Sequence, residues 1–398
     1  MKKSPLVVIA LLLVFFCLTS CKKLAIIKAS GDVEQEEFTT TFPFELRQGV
    51  IVMEVNLKGN IYEFVLDTGG FNLLDEKLAE ELGIKGKKTI DIGDSQGNKK
   101  ETPILKLDEI EIAGINFLET GTGIVKFDGL NEVSCLELQG MIGANLMQNA
   151  IWELDYQKQE ITIAHSMAAF DIPANQQSIA FTTDILVSPK ITISVDGYQE
   201  EEVEIDLGST GGFKLAKSTF DKLTSNQTAK GNGLFSSGLY GYGSPLTMNF
   251  AIISQLALGD LELSDQLVTF KPAGTSTIGN DFLRNYRVIF NWFDTEIFLI
   301  PVTNPSISSL ENYGFKPIFK DNKPQIGFIY NNSSSDKVGL KITDQILEVE
   351  GMDTQNITKE EWCEILNSFN QMTNETIYIK VLRGTERLSF ELDRIKLL

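Results

Sequence analysis

Alternating apolar and polar positions run along most of the chain. Several segments alternate with period two between Gly, Asn and Asp turn signals, the clearest being 51–59, 61–67, 104–114 and 190–197. This spacing predicts β-strands. Helical periodicity is confined to short stretches, the first of which places Leu74, Leu78 and Leu82 on one face. The pattern therefore predicts a mostly β protein with a few short helices.

An internal repeat divides most of the chain. Residues 142–161 match residues 278–297 without a gap, and both segments open with an Ile-Gly pair: Ile142, Gly143, Ile278 and Gly279. Self-similarity of this kind indicates structural units of the same design. We therefore predict two β-rich halves, at 45–170 and 171–302.

An aspartate closes a predicted strand upstream of each Ile-Gly pair. Asp67 and Asp206 are each followed by glycines and then by a short helix. The second helix has the apolar stripe Ala216, Phe220 and Leu223. Matching the two "TGGF" runs would instead pair Asp67 with Ser209. The preceding strand, the following glycine and the spacing to the Ile-Gly pair all favour Asp206.

A further module follows the repeat. Polar and turn-forming residues at 303–312 indicate a linker, and 313–398 alternates strands with one helix. Thr358 and Glu361 have capping-box spacing at the start of that helix. Its apolar face is formed by Trp362, Ile365, Leu366 and Phe369. The pattern predicts a small α/β domain.

The first 21 residues have the features of an export signal. Lys2 and Lys3 precede an apolar core, which ends at "LTSC" with Cys21 as its last residue. Small residues before a cysteine resemble the lipobox of bacterial lipoproteins. The resemblance implies lipidation of Cys21, a tether at 22–44, and a bacterial envelope protein anchored to a membrane, most simply the outer membrane, on its periplasmic side. A plain signal peptide with a chance cysteine is the alternative.

The composition of the chain argues against several classes of binding partner and catalytic site. The formal net charge is −19 and no Lys/Arg-rich cluster occurs in the body of the chain, which argues against a nucleic-acid partner. His165 is the single histidine, so His-dependent nucleophiles and His-built zinc sites are disfavoured, and we predict no metal and no other cofactor. Cys135 and Cys363 fall in different predicted domains and are expected to be buried free thiols.

The remaining candidate chemistry belongs to the repeated aspartates. Two carboxylates about 3 Å apart cannot both ionise cheaply, so such a pair shares one proton. One carboxylate then acts as base towards a water molecule and the other as acid towards a carbonyl. This arrangement hydrolyses amides without histidine, metal or a covalent intermediate.

The motifs around both aspartates resemble those of retropepsin-like and pepsin-like aspartic proteases. The first half carries Asp67, Thr68 and Gly69, with Ile142 and Gly143 downstream. The second half carries Asp206, Leu207 and Gly208, with Ile278 and Gly279 downstream. The resemblance covers about 45–302. It implies catalytic roles for both aspartates and a bilobal double β-barrel with a central cleft for an extended peptide.

Leu207 departs from the pattern of that family. The family has Thr or Ser there, and its hydroxyl bonds across to the opposite loop. Thr68 can make this bond from one side and Leu207 cannot, while Ser209 offers a side-chain donor that Gly70 lacks. We expect Asp206 to be the more acidic carboxyl and Asp67 to carry the shared proton.

A glycine- and aromatic-rich stretch resembles the flap that covers the cleft in this family. Residues 233–245 include Phe235, Tyr240 and Tyr242, which are candidates for contact with substrate side chains. Residues 92–100 are a weaker counterpart in the first half. A surface loop without such a role is the alternative.

The C-terminal module resembles PDZ domains, especially those attached to bacterial proteases. The resemblance rests on "KVGLKITDQILEVEG" and covers about 313–395. It implies binding of a C-terminal or extended peptide at a sheet edge, with Gly314 and Phe315 in the loop that meets the peptide carboxylate. An unrelated small α/β domain is the alternative.

Together these features predict a membrane-anchored, monomeric aspartic endopeptidase with a PDZ-like domain for peptide docking. The alternative is a catalytically inactive scaffold that binds peptides through the cleft and the PDZ-like domain. Leu207 favours the alternative, and the presence of both aspartates opposes it.

Overall fold

Strands dominate the computed structural model, which describes residue 26 and residues 29–127, 135–224, 227–303 and 309–398. The predicted mostly β class is confirmed. The predicted signal segment and Cys21 lie outside the described residues, as do residues 304–308 of the predicted linker. Within the described ranges, no helix is long and apolar enough to cross a membrane.

The strands follow one another in chain order as β1 to β35. The first half contains Asp32–Val33 (β1), Thr39–Pro43 (β2), Glu45–Arg47 (β3), Val50–Leu57 (β4), Asn60–Asp67 (β5), Leu73–Asp75 (β6), Lys88–Gly93 (β7), Lys99–Ile112 (β8), Ile115–Val125 (β9), Gly140–Gly143 (β10), Ile151–Asp155 (β11) and Glu160–Ala164 (β12).

The second half contains Ile179–Ala180 (β13), Thr182–Thr183 (β14), Pro189–Val195 (β15), Tyr198–Ile205 (β16), Phe213–Ala216 (β17), Thr228–Gly233 (β18), Ser237–Gly238 (β19), Gly241–Tyr242 (β20), Leu246–Ile253 (β21), Leu256–Leu258 (β22), Leu261–Leu263 (β23), Gln266–Lys271 (β24), Thr277–Ile278 (β25), Tyr286–Asn291 (β26) and Glu296–Pro301 (β27).

The C-terminal module contains Glu311–Asn312 (β28), Phe315–Lys320 (β29), Lys323–Tyr330 (β30), Gln345–Val349 (β31), Met352–Asp353 (β32), Thr376–Arg383 (β33), Glu386–Asp393 (β34) and Ile395–Lys396 (β35). The α-helices are Glu76–Glu81 (α1), Ala144–Met147 (α2), Lys217–Phe220 (α3), Asn280–Leu283 (α4), Ser334–Lys337 (α5) and Lys359–Asn370 (α6), and Met167–Ala169 forms a 3-10 helix.

Helices α1 and α3 are shorter than the sequence pattern predicts. Leu74 lies in strand β6, where it pairs with Gly140, and α1 begins only after Asp75, whose carboxylate accepts hydrogen bonds from two N–H groups of the first turn. Ala216 likewise lies in strand β17, opposite Lys271, so α3 begins only at Lys217; it ends at Phe220, and Leu223 lies beyond it. Strand pairing therefore takes residues that helical periodicity alone assigned to the helix.

The two halves repeat one strand topology. In the first, β10 pairs parallel with β5 and antiparallel with β6, and β6 pairs parallel with β9. In the second, β25, β16, β17 and β24 have the same relations. Ile142 lies opposite Leu66, and Ile278 lies opposite Ile205. Because each partner directly precedes an aspartate, the structure confirms the alignment of Asp67 with Asp206.

A six-stranded sheet joins the halves. Its order is β13-β27-β26-β11-β12-β2, and β11 of the first half pairs antiparallel with β26 of the second. Trp152 and Phe290 lie opposite each other at this junction, and both side chains are fully buried. One hydrophobic core runs through both halves. Burial of this kind stabilises each half through the other.

Strand pairing also attaches the C-terminal module to the second half. Strand β18 pairs antiparallel with β30, placing Gly231 opposite Tyr330. A Cβ atom at Gly231 would lie 2.4 Å from the Phe328 ring, so only glycine permits this close approach. The module therefore extends the sheet of the second half. Helix α6 begins with the predicted capping box between Thr358 and Glu361, which is confirmed.

A disulfide attaches the module to the first half. Cys135 and Cys363 are bonded, with their Cα atoms 5.6 Å apart. The prediction of two free thiols is therefore wrong. It rested on their different domains, but helix α6 brings Cys363 against the segment that leads into β10, and separation in sequence does not limit proximity in the fold.

Candidate active site

Each candidate aspartate stands where a buried strand ends. Asp67 is the last residue of β5, and Asp206 directly follows β16. The preceding residues, Leu66 and Ile205, are fully buried. The Asp206 N–H donates to the Ile278 carbonyl at 2.9 Å, which fixes the start of its loop. Apolar strands thus hold both carboxyl groups in place.

Glycines let the two loops meet. A Cβ atom at Gly208 would lie 2.5 Å from the Asp67 carboxyl carbon, and one at Gly69 would lie 3.1 Å from an Asp206 carboxyl oxygen. A side chain at either position would displace the opposite aspartate. The Asp67 and Asp206 carboxyl groups hydrogen-bond to each other. The structure thus brings together the two predicted residues, which we call the dyad.

The Ile-Gly pairs support these loops from below. Ile142 and Ile278 are fully buried. A Cβ atom at Gly143 would lie 2.3 Å from the Phe71 backbone, and one at Gly279 would lie 2.4 Å from the Ser209 carbonyl oxygen. The repeated glycines are therefore required because the loop backbones pack directly on them.

Thr68 ties the loops together from one side only. Its Oγ1 donates to the Ile205 carbonyl at 2.5 Å and accepts from the Leu207 N–H at 3.0 Å. Leu207 has no hydroxyl to return these bonds, and its side chain is fully buried in the core. At this position the second half has the buried side chain of Leu207, where the first half has the hydrogen bonds of Thr68.

Asparagine side chains, which the sequence analysis missed, hold the loop backbones. Asn280 donates to the Leu207 carbonyl at 2.7 Å and accepts from the Tyr156 hydroxyl at 2.7 Å. In the first half, Asn72 accepts from the Gly143 N–H at 2.8 Å. Asn280 lies within the second copy of the repeat, and its position directly after the Ile-Gly pair is the signal that would have found it.

The two carboxyl groups have unequal surroundings. Burial, together with the neighbouring charge of Asp206, raises the pKa of Asp67 to about 8. Burial also raises the pKa of Asp206, but the positive charges of Lys214 and Lys271 and the Gly208 N–H act in the opposite direction. These surroundings favour the proton on Asp67 and the negative charge on Asp206.

A third carboxyl group, also missed from the sequence, lies beside the dyad. Glu204 is two residues before Asp206 and is buried. A Cβ atom at Gly69 would lie 2.6 Å from its Oε1, so Glu204 borders the opposite loop. Burial and the charges of Asp206 and Asp67 raise its pKa to about 9. Glu204 is therefore uncharged at neutral pH.

The two flap candidates meet each other. The Tyr240 N–H donates to Asp94 at 2.9 Å, and the Gln96 side chain donates to the Ser236 hydroxyl at 3.2 Å. Tyr240 also lies under the Lys100 ammonium group, 4.9 Å from its ring centre. Residues 92–100 and 233–245 therefore form one continuous contact, which we call the covering loops.

The three aromatic flap candidates take different positions. Tyr240 lies within the covering loops, and Tyr242 pairs with Ser237 in the β19–β20 hairpin. Phe235 packs against Phe250 and Phe328, at the junction of the second half with the module. Leu239, which was not predicted, reaches the apolar cluster of Phe71 and Leu73 in the first half.

The predicted peptide-binding loop of the module is tightly bonded. The Gly314 N–H donates to the Asn312 side chain at 2.7 Å, and the Gly314 carbonyl accepts from the Tyr330 N–H at 2.9 Å. The Phe315 side chain is buried and contacts Phe369. Both predicted residues thus contribute to the core of the module, while β29 pairs only with β30 among the described strands.

Comparisons with known proteins give no further assignment. No protein-family model matches the sequence, and no curated protein matches it either. Among the residues that the structure describes, no group of three or more His, Cys, Asp or Glu side chains is arranged to hold a metal ion.

Proposed function

We propose that this chain is an aspartic endopeptidase of the retropepsin-like or pepsin-like kind, with a bilobal double-barrel fold. The observation that carries the proposal is the hydrogen-bonded dyad of Asp67 and Asp206, formed where two repeated loops meet. Asp67, with its pKa raised to about 8, supplies the acid. Asp206, whose charged form is favoured by Lys214 and Lys271, supplies the base at the same pH.

The reaction uses one water molecule and one shared proton. Asp206, as carboxylate, takes a proton from the water as its oxygen attacks the carbonyl carbon, and Asp67 gives its proton to the carbonyl oxygen. In the second step the C–N bond breaks. The amine nitrogen receives the proton held by Asp206, and a hydroxyl of the tetrahedral intermediate returns a proton to Asp67. The dyad ends as it began.

We propose two peptide-binding regions and a membrane anchor for this chain. A peptide lies extended beneath the covering loops, and the PDZ-like module presents the free edge of β29 to an extended or C-terminal peptide. Lipidation of Cys21 anchors the chain to the bacterial envelope. We propose that it acts as a monomer.

Peptide cleavage by the chain lacking residues 1–22, prepared with its disulfide formed, tests the proposal. Asp67→Asn and Asp206→Asn should each lower kcat/KM by about 10³-fold, because each removes one partner of the acid–base pair. Asp221→Asn, which removes an exposed partner of Lys217, is the matched control and should keep the rate. Wild-type activity should decline as the pH rises through about 8, where Asp67 loses the shared proton.

The missing hydroxyl at Leu207 favours a second candidate, an inactive peptide-binding scaffold. The same samples separate the two candidates. Equal product formation by wild-type and both dyad variants, measured by mass spectrometry, would rule out the protease. Peptide binding without any product would support the scaffold.

A further inference from the structure

One row of polar side chains crosses the second half beside the dyad. Strand register aligns Lys190 with Glu204, Glu204 with Thr277, Thr277 with Lys214, and Lys214 with Thr269. Residues aligned across a sheet share a face, and residues two apart on one strand share it too. Because Glu204 is two residues before Asp206, the row lies on the face that carries the dyad.

Two ammonium groups belong to this face. Lys271 stands two residues after Thr269 on β24, so it lies on the same side as Lys214 on the neighbouring strand. The Lys214 ammonium donates to the Ser209 hydroxyl at 2.9 Å, which places it against the loop of Asp206. Each lysine acts electrostatically on Asp206 and on the other lysine.

The ammonium group of Lys271 lacks a bonded anion. It is partly buried, yet within the described part of the chain no hydrogen bond or ion pair reaches it. Burial and the charge of Lys214 lower the pKa of Lys271. A half-buried cation without a bonded partner is costly, and a bound anion would offset the cost.

The Asp206 carboxylate lies among positive charges near neutral pH. Asp67 and Glu204 are protonated there, which leaves the carboxylate of Asp206 facing Lys214 and Lys271. Because no hydrogen bond or ion pair among the described residues reaches Lys271, its charge favours a further negative group on this side of the cleft.

The first half provides an internal comparison. Its corresponding row is apolar and consists of Val52, Val65, Met141, Leu73 and Gly123. Val125 stands where the second half has Lys271. The first half therefore forms the same strand arrangement without lysines at these positions, so the fold does not require Lys214 or Lys271.

We propose that Lys214 and Lys271 form a subsite for a carboxylate of the peptide substrate. This inference rests on the proposed function and names its substrate class: peptides with a carboxylate on the side of the dyad that carries the two lysines. The carboxylate belongs to an Asp or Glu side chain or to the C-terminus of the peptide.

Matched peptides test the subsite. An N-acetylated peptide with a central apolar pair carries Gln or Glu at each of three positions on either side, with an amidated C-terminus. A third form carries Gln and a free C-terminal carboxylate, which distinguishes the two sources of charge. At the best position the Glu form, or the free-acid form, should have a kcat/KM about tenfold above that of the neutral form, the worth of one charged hydrogen bond.

Variants of the two lysines show whether Lys214 and Lys271 cause the preference for the charged peptide. Lys214→Met and Lys271→Met should each bring the charged-to-neutral ratio towards one. The ratio is taken within each variant, so a change in the dyad cancels. Lys222→Met removes an exposed lysine of the same half and should leave the ratio as in wild-type. A ratio of one at every position in wild-type, or an unchanged ratio in both lysine variants, would overturn the subsite.

A binding measurement separates this inference from the proposed function. Fluorescence anisotropy with labelled peptides and the Asp67→Asn variant requires no cleavage. Preference for the charged peptide without any cleavage by wild-type would keep the subsite and remove the protease. Equal binding of charged and neutral peptides, with normal cleavage by wild-type, would remove the subsite alone.

Discussion

Val65 and Glu204 occupy the same place in the two halves, each two residues before an aspartate of the dyad. Val65 packs among Val50, Val52 and Leu138, whereas Glu204 lies in a row with lysines. The two strand frames are alike, yet one is lined with apolar side chains and the other with charges. Such frames specify where a carboxyl group stands but not what surrounds it.

This difference gives the dyad its asymmetry. The lysines lie on the side of Asp206 and favour its charged form, while apolar surroundings on the side of Asp67 favour its protonated form. Identical halves would leave the choice of proton carrier undetermined. Which aspartate acts as acid and which as base therefore follows from the side chains that surround the dyad rather than from the two loops.

Transferring the carboxyl group to the first half should have the largest effect. Val65→Glu places an ionisable group in an apolar row without lysines, and we expect a loss of about 3 to 5 kcal/mol in the free energy of unfolding at pH 7. The loss should shrink at acid pH, where the new carboxyl is protonated in the unfolded state too. Denaturant unfolding at pH 4 and pH 7 measures both. Val65→Gln is the uncharged control, and an equal, pH-independent loss in both variants would contradict the contrast between the rows.

The halves also differ in how they hold the C-terminal module, by a disulfide in the first and by strand pairing in the second. Cys135→Ser with Cys363→Ser should lower the free energy of unfolding by about 2 to 4 kcal/mol, because the cross-link restricts the unfolded chain. Guanidinium unfolding of wild-type with and without reductant provides the comparison. A double variant as stable as the oxidised wild-type would show that pairing of β18 with β30 suffices.

Removing the carboxyl group from the second half should have almost no effect on stability near pH 5 and a stabilising effect that grows as the pH rises. The folded pKa of Glu204 is about 9, above its ordinary value of 4.5, so between these values the folded chain holds a proton that the unfolded chain has released. Stability from this group is therefore lost as the pH rises through that window. Glu204→Gln should be close to wild-type near pH 5 and exceed it by up to about 4 kcal/mol at pH 8, the linkage free energy that these two pKa values allow.

Thermal or denaturant unfolding across pH 5 to 9 measures this difference. Asp67→Asn retains Glu204 and removes the raised pKa of Asp67, so its slope separates the contributions of Asp67 and Glu204. A Glu204→Gln curve parallel to that of wild-type would show that Glu204 ionises normally in the folded chain.

Much of the frame could be predicted from the sequence because it depends on spacing. Alternation located the strands, and the repeated Ile-Gly pairs led to Asp206 rather than Ser209. The starts of α1 and α3 could not be predicted, because the pairing of Leu74 with Gly140 and of Ala216 with Lys271 depends on residues far along the chain. The same reason hid the bond between Cys135 and Cys363.

The row of charged side chains that contains Glu204 and Lys214 was not predicted, although the sequence contains a signal for it. Comparing the copies of the repeat position by position sets Glu204 against Val65 and Lys214 against Leu73. A polar residue in one copy where the other is apolar marks a place where the copies differ in function. What such a comparison cannot supply is the balance of charges, because burial and distance decide which carboxyl groups keep their protons.

The disulfide has a consequence for how the molecule is made. Its cysteines are 228 residues apart, so Cys135 emerges early and has no partner until the last module has been synthesised and folded. A reducing cytosol keeps both thiols apart, whereas an oxidising compartment lets them join. Recombinant material produced in the two compartments is then two covalent species with one sequence, and only the oxidised one carries the bond between helix α6 and the segment that leads into β10, the strand that pairs with β5.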